Sequence, residues 1–293
     1  KEVTIKPHRI FNPIIKNNDK NIEEATKLIA NAKKPIFYIG GGCINSGTKA
    51  SEFVRQFVEE TNIPSTMTLM GLGVLPAGNK NSLGMLGMHG MYEANLAMHD
   101  CDVMVNIGAR FDDRVTGRLD AFSPNSKKIH IDIDASNINK AIKVDIPIVG
   151  DIEFIMEKIL QSWKNNKYKI NQSDLDTWWK KINEWKKVEC LNFKQDGENI
   201  KPQYAIKRLY DLTKDKKTII TTEVGQHQMW AAQYYKFEEP NRWLTSGGLG
   251  TMGYGFPAAI GAKVANPDAL VIDIAGDASI LMNIQEMSTA IQH

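Results

Sequence analysis

The sequence predicts an α/β protein built on parallel sheets. Short apolar runs, such as residues 35–39 and 102–107, alternate with longer amphipathic stretches. That alternation is typical of buried parallel strands that are covered by helices on both faces. Glycine-rich turns follow several of these runs, for example at 40–42. The length of 293 residues is enough for two domains at ~100–200 residues each.

Composition argues against several classes of protein. Apolar residues make up 42% and charged residues 24%, which is ordinary for a soluble globular protein. Lysine and arginine (36) nearly balance aspartate and glutamate (34), so the net charge of +2 gives no drive toward nucleic acid or an anionic membrane. No run reaches the ~18 apolar residues that a membrane span needs. The three cysteines, Cys43, Cys101 and Cys190, are odd in number and far apart, which argues against a disulfide scaffold.

The first predicted unit spans residues 20–165, after a polar segment, 1–20, that we interpret as a linker. Asn21 is predicted to cap a helix that runs to about Lys33. The elements that follow are predicted in this order: strand 35–39, helix 49–61, strand 65–69, a glycine-rich loop 71–90, a helix near 91–99, strands 102–107, 128–133 and 147–149, and a helix from Asp151 to about Trp163.

Residues 166–200 are interpreted as a helical linker into a second unit, 201–293. A polar helix is predicted from Asp174 to about Phe193, with Trp178, Ile182 and Trp185 on one apolar face. The second unit is predicted as helix 202–212, strand 218–221, a helix after Gly225, a glycine-rich segment 247–255, a helix to about Val264, strand 270–275 and a helix from Ser279.

Four segments at strand ends of the first unit could bind a ligand. Glycines 40–42 suit an approaching phosphate, although a plain tight turn explains them equally well. Segment 84–90 is either a flexible loop or a backbone laid against a flat aromatic ligand. Segment 108–117 carries two arginines and two aspartates, which form either a solvated ion-pair network or an anion grip. In segment 130–134, Asp134 either caps the next turn or an acidic residue of the segment accepts a hydrogen bond from a ribose hydroxyl.

The second unit carries three comparable segments. Segments 225–229 and 247–253 are glycine-rich turns that open helices and therefore suit phosphate. The Gly276-Asp277 pair follows an apolar strand, where a carboxylate can hold a magnesium ion that bridges two phosphates. Each signal is weak alone, and their order along the chain carries the information.

In that order and spacing the chain resembles the acetohydroxyacid synthase (acetolactate synthase) large catalytic subunits, a family of thiamine-diphosphate enzymes. The segments that carry the resemblance are 69–73, 86–90, 108–117, 130–134, 224–229 and 246–253. The resemblance implies a Rossmann-like, FAD-binding middle domain followed by the start of a thiamine-diphosphate domain. It also implies that an activating glutamate would precede Lys1 and a second metal ligand would follow His293. We therefore expect a piece of a longer enzyme that is inactive by itself.

The resemblance further implies a set of site residues. Arg114, Gln226 and His227 are the expected catalytic residues, with Arg114 at the substrate entrance. Asp277 is the expected ligand of Mg2+. FAD contacts are expected at Gly41, Thr68, Leu69, Leu86, Gly87, Met88, His89, Gly108, Ala109, Arg110, Phe111, Asp112, Asp132, Ile133, Asp151, Ile152 and Gly247. Thiamine-diphosphate contacts are expected at Gln226, His227, Gly250, Thr251, Met252, Asp277, Ala278 and Ser279, where Ala278 replaces the family's usual glycine.

The implied activity is decarboxylation of pyruvate on thiamine diphosphate and transfer of the two-carbon unit to a second 2-keto acid, pyruvate or 2-oxobutanoate, in valine, leucine and isoleucine biosynthesis. The implied partners are a second large subunit, in a homodimer or homotetramer, and a small regulatory subunit, with no nucleic acid and no membrane. The implied location is the bacterial cytoplasm, or a plastid or mitochondrion in a eukaryote. Two alternatives stay open: another FAD and thiamine-diphosphate enzyme such as a pyruvate oxidase, or a non-catalytic paralogue.

Overall fold

The computed structural model describes residues 18–292 and places the first six strands in one parallel sheet. The strands are β1 (Pro35–Ile39), β2 (Ser65–Met67), β3 (Ser82–Met85), β4 (Val103–Ile107), β5 (Lys127–Asp132) and β6 (Ile146–Val149). Their order across the sheet is β3-β2-β1-β4-β5-β6. This is the doubly wound order, in which the connections reverse direction between β1 and β4 and open a crevice at their carboxyl ends.

Helices cover both faces of this sheet. The helices of the region are α1 (Asp19–Ala30), α2 (Gly42–Asn45), α3 (Thr48–Thr61), α4 (Tyr92–Asp100), α5 (Asp113–Thr116), α6 (Ile152–Asn165) and α7 (Gln172–Lys186). On one face α1, α3 and α6 contribute to a core that includes Phe37, Phe57 and Trp163. On the other face α4 and α7 bury a second cluster around Tyr38 and Trp178. The predicted α/β class with parallel sheets is confirmed.

Three local predictions in this region are wrong. Helix α1 begins at Asp19, so Asn21 lies inside it, and Asn18 holds the cap position without a side-chain capping bond. Both asparagine side chains donate to carbonyls of β6, Asn18 to Val149 and Asn21 to Pro147. The predicted loop 71–90 contains β3, a short edge strand that Gly84 hides from sequence patterns. Helix α7 ends at Lys186, about seven residues before the predicted end at Phe193.

Helix α7 packs on the first sheet through the apolar face that the sequence predicts. Trp178 and Ile182 are fully buried, and the Trp178 indole nitrogen donates to the Pro35 carbonyl at 3.0 Å. Trp185 contacts Trp178 edge to face, with ring centroids 5.7 Å apart. The domain boundaries that the sequence suggests stay predictions. Of the predicted linker 1–20, residues 1–17 lie outside the described residues.

A second parallel sheet follows, with strand order β8-β7-β9. Its strands are β7 (Thr218–Thr222), β8 (Trp243–Thr245) and β9 (Leu270–Ile274). The sequence does not predict β8, because three residues after Arg242 give too short a pattern. The helices of this part are α8 (Pro202–Thr213), α9 (Gln226–Tyr234), α10 (Gly255–Ala265), α11 (Asp277–Leu281) and α12 (Glu286–Gln292).

The two sheets share one hydrophobic core. The cluster that contains Phe37 and Phe57 continues through Val74 and Leu75 into Phe237 and Trp243 of the second part. Arg55 lies at this junction, and its guanidinium donates to the carbonyls of Gly73 (2.8 Å) and Val74 (2.5 Å). Within residues 18–292, none of the helices combines the length and apolarity required to cross a bilayer. All three cysteines are free thiols.

Candidate active site

A cavity of about 1050 Å³ lies where the strand ends of the two sheets face each other. The loops after β1, β2, β3, β4 and β5 form one side, and the segments 224–229 and 246–250 of the second part form the other. The side formed by the first sheet includes the crevice between β1 and β4, where open α/β sheets bind their ligands. The cavity therefore joins segments that are more than 200 positions apart in the chain.

Close backbone packing shapes the wall next to β1 and β4. The Gly42 amide donates to the Gly108 carbonyl at 3.0 Å, and Gly40 donates to the Ile107 carbonyl at 2.8 Å. A Cβ on Gly40 would overlap the Gly108 carbonyl, and Gly108 itself has φ +70°. Glycine is required here for loop-to-loop contact, so the tight-turn interpretation of 40–42 holds, and the turn also lines the cavity.

An asparagine side chain fixes each of two cavity loops. The Asn95 amide group accepts from the Gly87 amide at 2.8 Å and donates to the Gly87 carbonyl at 2.9 Å. The Asn106 amide group makes the same pair of bonds with Ala109, at 3.0 and 2.8 Å. Buried His130 adds a third bond, from Nε2 to the Ala109 carbonyl at 2.9 Å. Within segment 84–90, Gly87 is therefore held by the Asn95 side chain, and the choice between the two interpretations of the segment stays a prediction.

The charged segment after β4 is partly an ion pair. Arg110 pairs with Asp112 at 2.5 Å, and Asp112 also accepts from the Arg114 backbone amide at 3.0 Å, capping α5. Desolvation raises the pKa of Asp112, but the hydrogen bonds from Arg114 and Arg110 outweigh it and hold that pKa below its usual value. The Arg114 side chain is 69% exposed, and its nearest carboxylate oxygen, on Asp113, is 3.7 Å away. Arg114 is thus the more available of the two cations.

Two acidic residues lie at the carboxyl end of β5, Asp132 within the strand and Asp134 after it. The Asp132 carboxylate accepts from the Asp134 amide at 2.8 Å and from the Asn137 side chain at 3.3 Å. Asp134 accepts from the Ser136 amide at 2.9 Å, so it caps the short turn 135–137, which is one of its two predicted interpretations. Both aspartates line the cavity, which leaves the ribose interpretation of Asp132 as a prediction.

The second part contributes a histidine at the start of α9. A Cβ on either Gly225 or Gly276 would come within 2.8–2.9 Å of the His227 ring, so both glycines leave room for the imidazole. The His227 Nε2 atom is buried and has no partner, and burial lowers the pKa of the ring below its ordinary value. A neutral imidazole with a free nitrogen suits hydrogen bonding to a bound ligand.

Segment 277–279 lies beside this histidine. The Ser279 hydroxyl donates to the Val224 carbonyl at 3.3 Å, and the exposed Asp277 carboxylate accepts from the Ala278 amide at 2.9 Å. Ala278 lies within α11, so its backbone has helical φ and does not require glycine. Among the described residues, no three His, Cys, Asp or Glu side chains are grouped as a protein-only metal site would need.

The structure brings most of the expected residues together at the large cavity. Those that line it are Gly41, Thr68, Leu69, Leu86, Met88, His89, Gly108, Ala109, Arg110, Asp112, Arg114, Asp132, Ile133, Gln226, Gly247 and Gly250. Expected residues outside its lining are Gly87, Phe111, Asp151, Ile152, His227, Thr251, Met252, Asp277, Ala278 and Ser279.

Three of the outlying residues have evident structural tasks. Phe111 is 3% exposed and packs edge to face on His130 and Phe122. Asp151 caps α6 by accepting from the Glu153 amide at 3.0 Å. Ile152 is buried against Gly108. Their roles in cofactor binding stay predictions. In this structure they stabilise backbone segments near the cavity and do not line it.

Sequence reasoning missed three residues at this site. Tyr38 and Met70 line the cavity, and Met70 packs against both Gly41 and Gly247, which joins its two sides. Glu223 is fully buried and accepts from the amides of Gly253 (2.5 Å) and Phe256 (3.0 Å). Two of them had a sequence signal. Glu223 directly follows strand β7, much as Asp277 follows β9, and Met70 lies within segment 69–73, which carries the family resemblance.

Comparison with known proteins gives the family. Residues 22–159 match "Thiamine pyrophosphate enzyme, central domain", and residues 223–293 match "Thiamine pyrophosphate enzyme, C-terminal TPP binding domain". The chain belongs to the thiamine pyrophosphate enzyme family. The two matched regions of this family member carry the two sides of the large cavity, and they stand in the order that the sequence motifs predict.

The family member is similar to acetolactate synthases over most of its length. It is 48% identical to the acetolactate synthase large subunit of Haemophilus influenzae over 285 residues, which are 97% of this chain and 49% of that protein. It is 45% identical to the isozyme 3 large subunit of Escherichia coli over the same shares, and 49% identical to the chloroplastic acetolactate synthase of Arabidopsis thaliana over 92% of this chain and 40% of that protein. The chain thus spans about half the length of the curated relatives it matches.

Proposed function

We propose that this chain supplies the flavin-binding and diphosphate-binding parts of an acetolactate synthase large subunit. The activity is decarboxylation of pyruvate and transfer of the resulting two-carbon unit to a second 2-keto acid, pyruvate or 2-oxobutanoate. Identity of 45–50% to acetolactate synthases supports this choice within the family. The proposed biological role is branched-chain amino-acid biosynthesis, in the cytoplasm of a bacterium or in a plastid or mitochondrion.

The single observation that carries the proposal is the shared cavity. Residues with a flavin expectation (41, 68–69, 86, 88–89, 108–110 and 112) and residues with a thiamine-diphosphate expectation (226 and 250) line one space of about 1050 Å³. Two sites that worked independently would not be expected to share one cavity. A cavity lined by residues from both sets supports an enzyme that carries both groups.

The residues present fit thiamine diphosphate. His227, whose buried Nε2 has no partner, packs against Gly225 and Gly276 and lies close to the exposed Asp277. Thiamine diphosphate supplies the electron sink that decarboxylation of a 2-keto acid requires. Gln226 and His227 would contact that group, and Glu223 holds the 253–256 backbone in place from beneath.

Magnesium is proposed at Asp277. Since the described residues offer no three-carboxylate cluster, the ion would depend on diphosphate oxygens for much of its coordination, which is the usual way in which Mg2+ is held. Arg114, the exposed cation at the cavity, is proposed to attract the carboxylate of the keto acid. A second large subunit and a small regulatory subunit are the proposed partners.

The test uses purified full-length protein with thiamine diphosphate, Mg2+, FAD and pyruvate. Acetolactate should accumulate, and the flavin should stay oxidised when oxygen is absent. Reduction of the flavin by pyruvate would instead indicate a pyruvate oxidase. A protein that binds no thiamine diphosphate, measured by calorimetry, would be the non-catalytic paralogue and would overturn the proposal. The Asp277→Ala variant, measured at the same length and under the same conditions, separates specific binding from background.

A further inference from the structure

Tyr38 is a buried hydroxyl at the cavity that the fold leaves unpaired. The residue is the fourth of β1, between β2 and β4, and its side chain is 0% exposed. It lines the large cavity, and its ring packs on Phe111 with centroids 5.7 Å apart. Its hydroxyl oxygen has no hydrogen-bond partner. Among the described residues with such an orphaned buried atom, Tyr38 alone lines this cavity.

Tyr235, which is also buried, and the half-buried Tyr234 both have a hydrogen-bond partner for this group. The Tyr235 hydroxyl lies 2.9 Å from the Thr213 hydroxyl, and the Tyr234 hydroxyl donates to the Leu191 carbonyl at 3.2 Å. Buried hydroxyls without a partner are rare, because the desolvation cost is not offset. An exception at the wall of a cavity indicates that the partner enters with a ligand.

The neighbours of Tyr38 define what it can do there. Burial and the charge of Asp112 raise the pKa of Tyr38 far above its ordinary value, while Arg110 opposes the shift. The hydroxyl therefore stays protonated and can donate. No hydrogen bond joins the Tyr38 hydroxyl to Asp112, whose carboxylate accepts from the Arg110 side chain and the Arg114 amide.

We infer that the Tyr38 hydroxyl donates a hydrogen bond to an acceptor atom of FAD bound in the large cavity. The inference rests on the flavin site proposed above and extends it by a residue that the family motifs do not include. The Tyr38 hydroxyl is buried at the wall of the cavity, where a hydrogen bond is stronger than the same bond in water because the local dielectric constant is low. It therefore fixes the depth of the ligand as well as its affinity.

The test compares Tyr38→Phe with Tyr235→Phe in the flavin-free protein titrated with FAD by fluorescence quenching. Tyr38→Phe removes an unpaired hydroxyl, so the melting temperature without FAD should stay equal or rise. Its dissociation constant for FAD should increase about fivefold to twentyfold, the usual effect of losing one buried hydrogen bond. Tyr235→Phe removes a paired hydroxyl away from the cavity, so the melting temperature should fall while the FAD dissociation constant stays unchanged.

Two outcomes overturn different claims. If wild-type protein binds no FAD, the flavin site itself is wrong. If wild-type protein and Tyr38→Phe bind FAD equally, the hydroxyl serves only a buried water, and the inference about Tyr38 fails while the flavin site stands. A shift of the bound-flavin absorption band in Tyr38→Phe gives a second readout that a purely structural role would not produce.

Discussion

Arg114 is proposed to serve substrate binding more than the stability of the fold. Its side chain is 69% exposed, and the single carboxylate near it is 77% exposed, so the pair contributes at most ~0–1 kcal/mol. Arg114→Lys should therefore leave the melting temperature unchanged, because it keeps the charge. It should raise the KM for pyruvate or lower kcat, because lysine lacks the planar fork that suits a carboxylate. Arg118→Lys, at an arginine that is 79% exposed and paired with Asp120, is the matched control.

Asp277 is expected to hold Mg2+ with diphosphate oxygens. Asp277→Ala should abolish magnesium-dependent binding of thiamine diphosphate and leave FAD binding intact, because alanine offers no oxygen ligand. The fold should be unaffected, since the carboxylate is exposed and accepts only from the next amide along the chain. Calorimetry with and without Mg2+ checks this. Activity that persists at ordinary magnesium concentration would show that the metal has another ligand.

Asp273 should make stability depend on pH. Burial, with the charge of Glu223, raises the pKa of Asp273 to about 6, although the Thr221 hydroxyl opposes the shift. The unfolded chain ionises first as pH rises from about 4, so the native state loses stability up to about pH 6 and stays lower above it. Asp273→Asn should raise the free energy of unfolding by about 1 kcal/mol at pH 8, discounted for partial exposure, and change nothing near pH 4. Denaturant titrations at both pH values decide it.

At the scale of single residues, the sequence indicates the cavity best where chemistry lies at a strand end. Asp132 ends β5, Arg114 lies in the segment after β4, and Gln226 opens the helix after β7. All three line the cavity. Tyr38 could not be predicted, because a tyrosine inside an apolar strand looks like any core residue. Its importance comes from a missing partner, which only three-dimensional packing reveals.

At the scale of elements, the loop 86–90 depends on the helix that follows it. The Asn95 side chain on α4 makes both bonds to Gly87, whose φ of +103° permits no other residue easily. Asn95→Ala should lower the free energy of unfolding by about 1–3 kcal/mol for two lost hydrogen bonds, and should weaken FAD binding through the displaced loop. Calorimetry and FAD titration test both effects. Asn31→Ala, which removes one exposed bond to the Lys27 carbonyl, should cost under ~0.5 kcal/mol.

An Asn95 variant that lowers the free energy of unfolding without changing FAD affinity would show that the loop is not part of the flavin site.

The elements also show which parts of the fold sequence patterns do not predict. Long amphipathic helices such as α3 and α6 can be predicted from the sequence within one or two residues. The short strands β3 and β8 cannot, because three or four residues give no period and their pairing partners lie elsewhere in the chain.

At the scale of the whole molecule, the sequence indicates two α/β units but not how they join. Apolar periodicity identifies which residues are buried, not which sheet buries them. The junction depends on contacts such as Ala77 to the Phe237 carbonyl (3.0 Å) and on Gly73, where a Cβ would overlap the Glu239 carbonyl. These contacts lie in loops, and loops carry no periodic signal.

The continuous core predicts that both sheets unfold together. Phe237 and Trp243 belong to the same cluster as Phe37 and Val74, so opening one sheet exposes apolar surface of the other. The amides of β1 and β7 should therefore exchange with solvent through one shared opening. FAD at one hundred times its dissociation constant should raise the free energy of that opening by the same ~2.7 kcal/mol at both strands, because FAD binds only the native state. Arg55→Met, which removes the hydrogen bonds to Gly73 and Val74, should uncouple them, so that FAD protects β1 alone. If FAD leaves the exchange rate of the β7 amides unchanged in the wild-type protein, the shared core does not couple the two sheets.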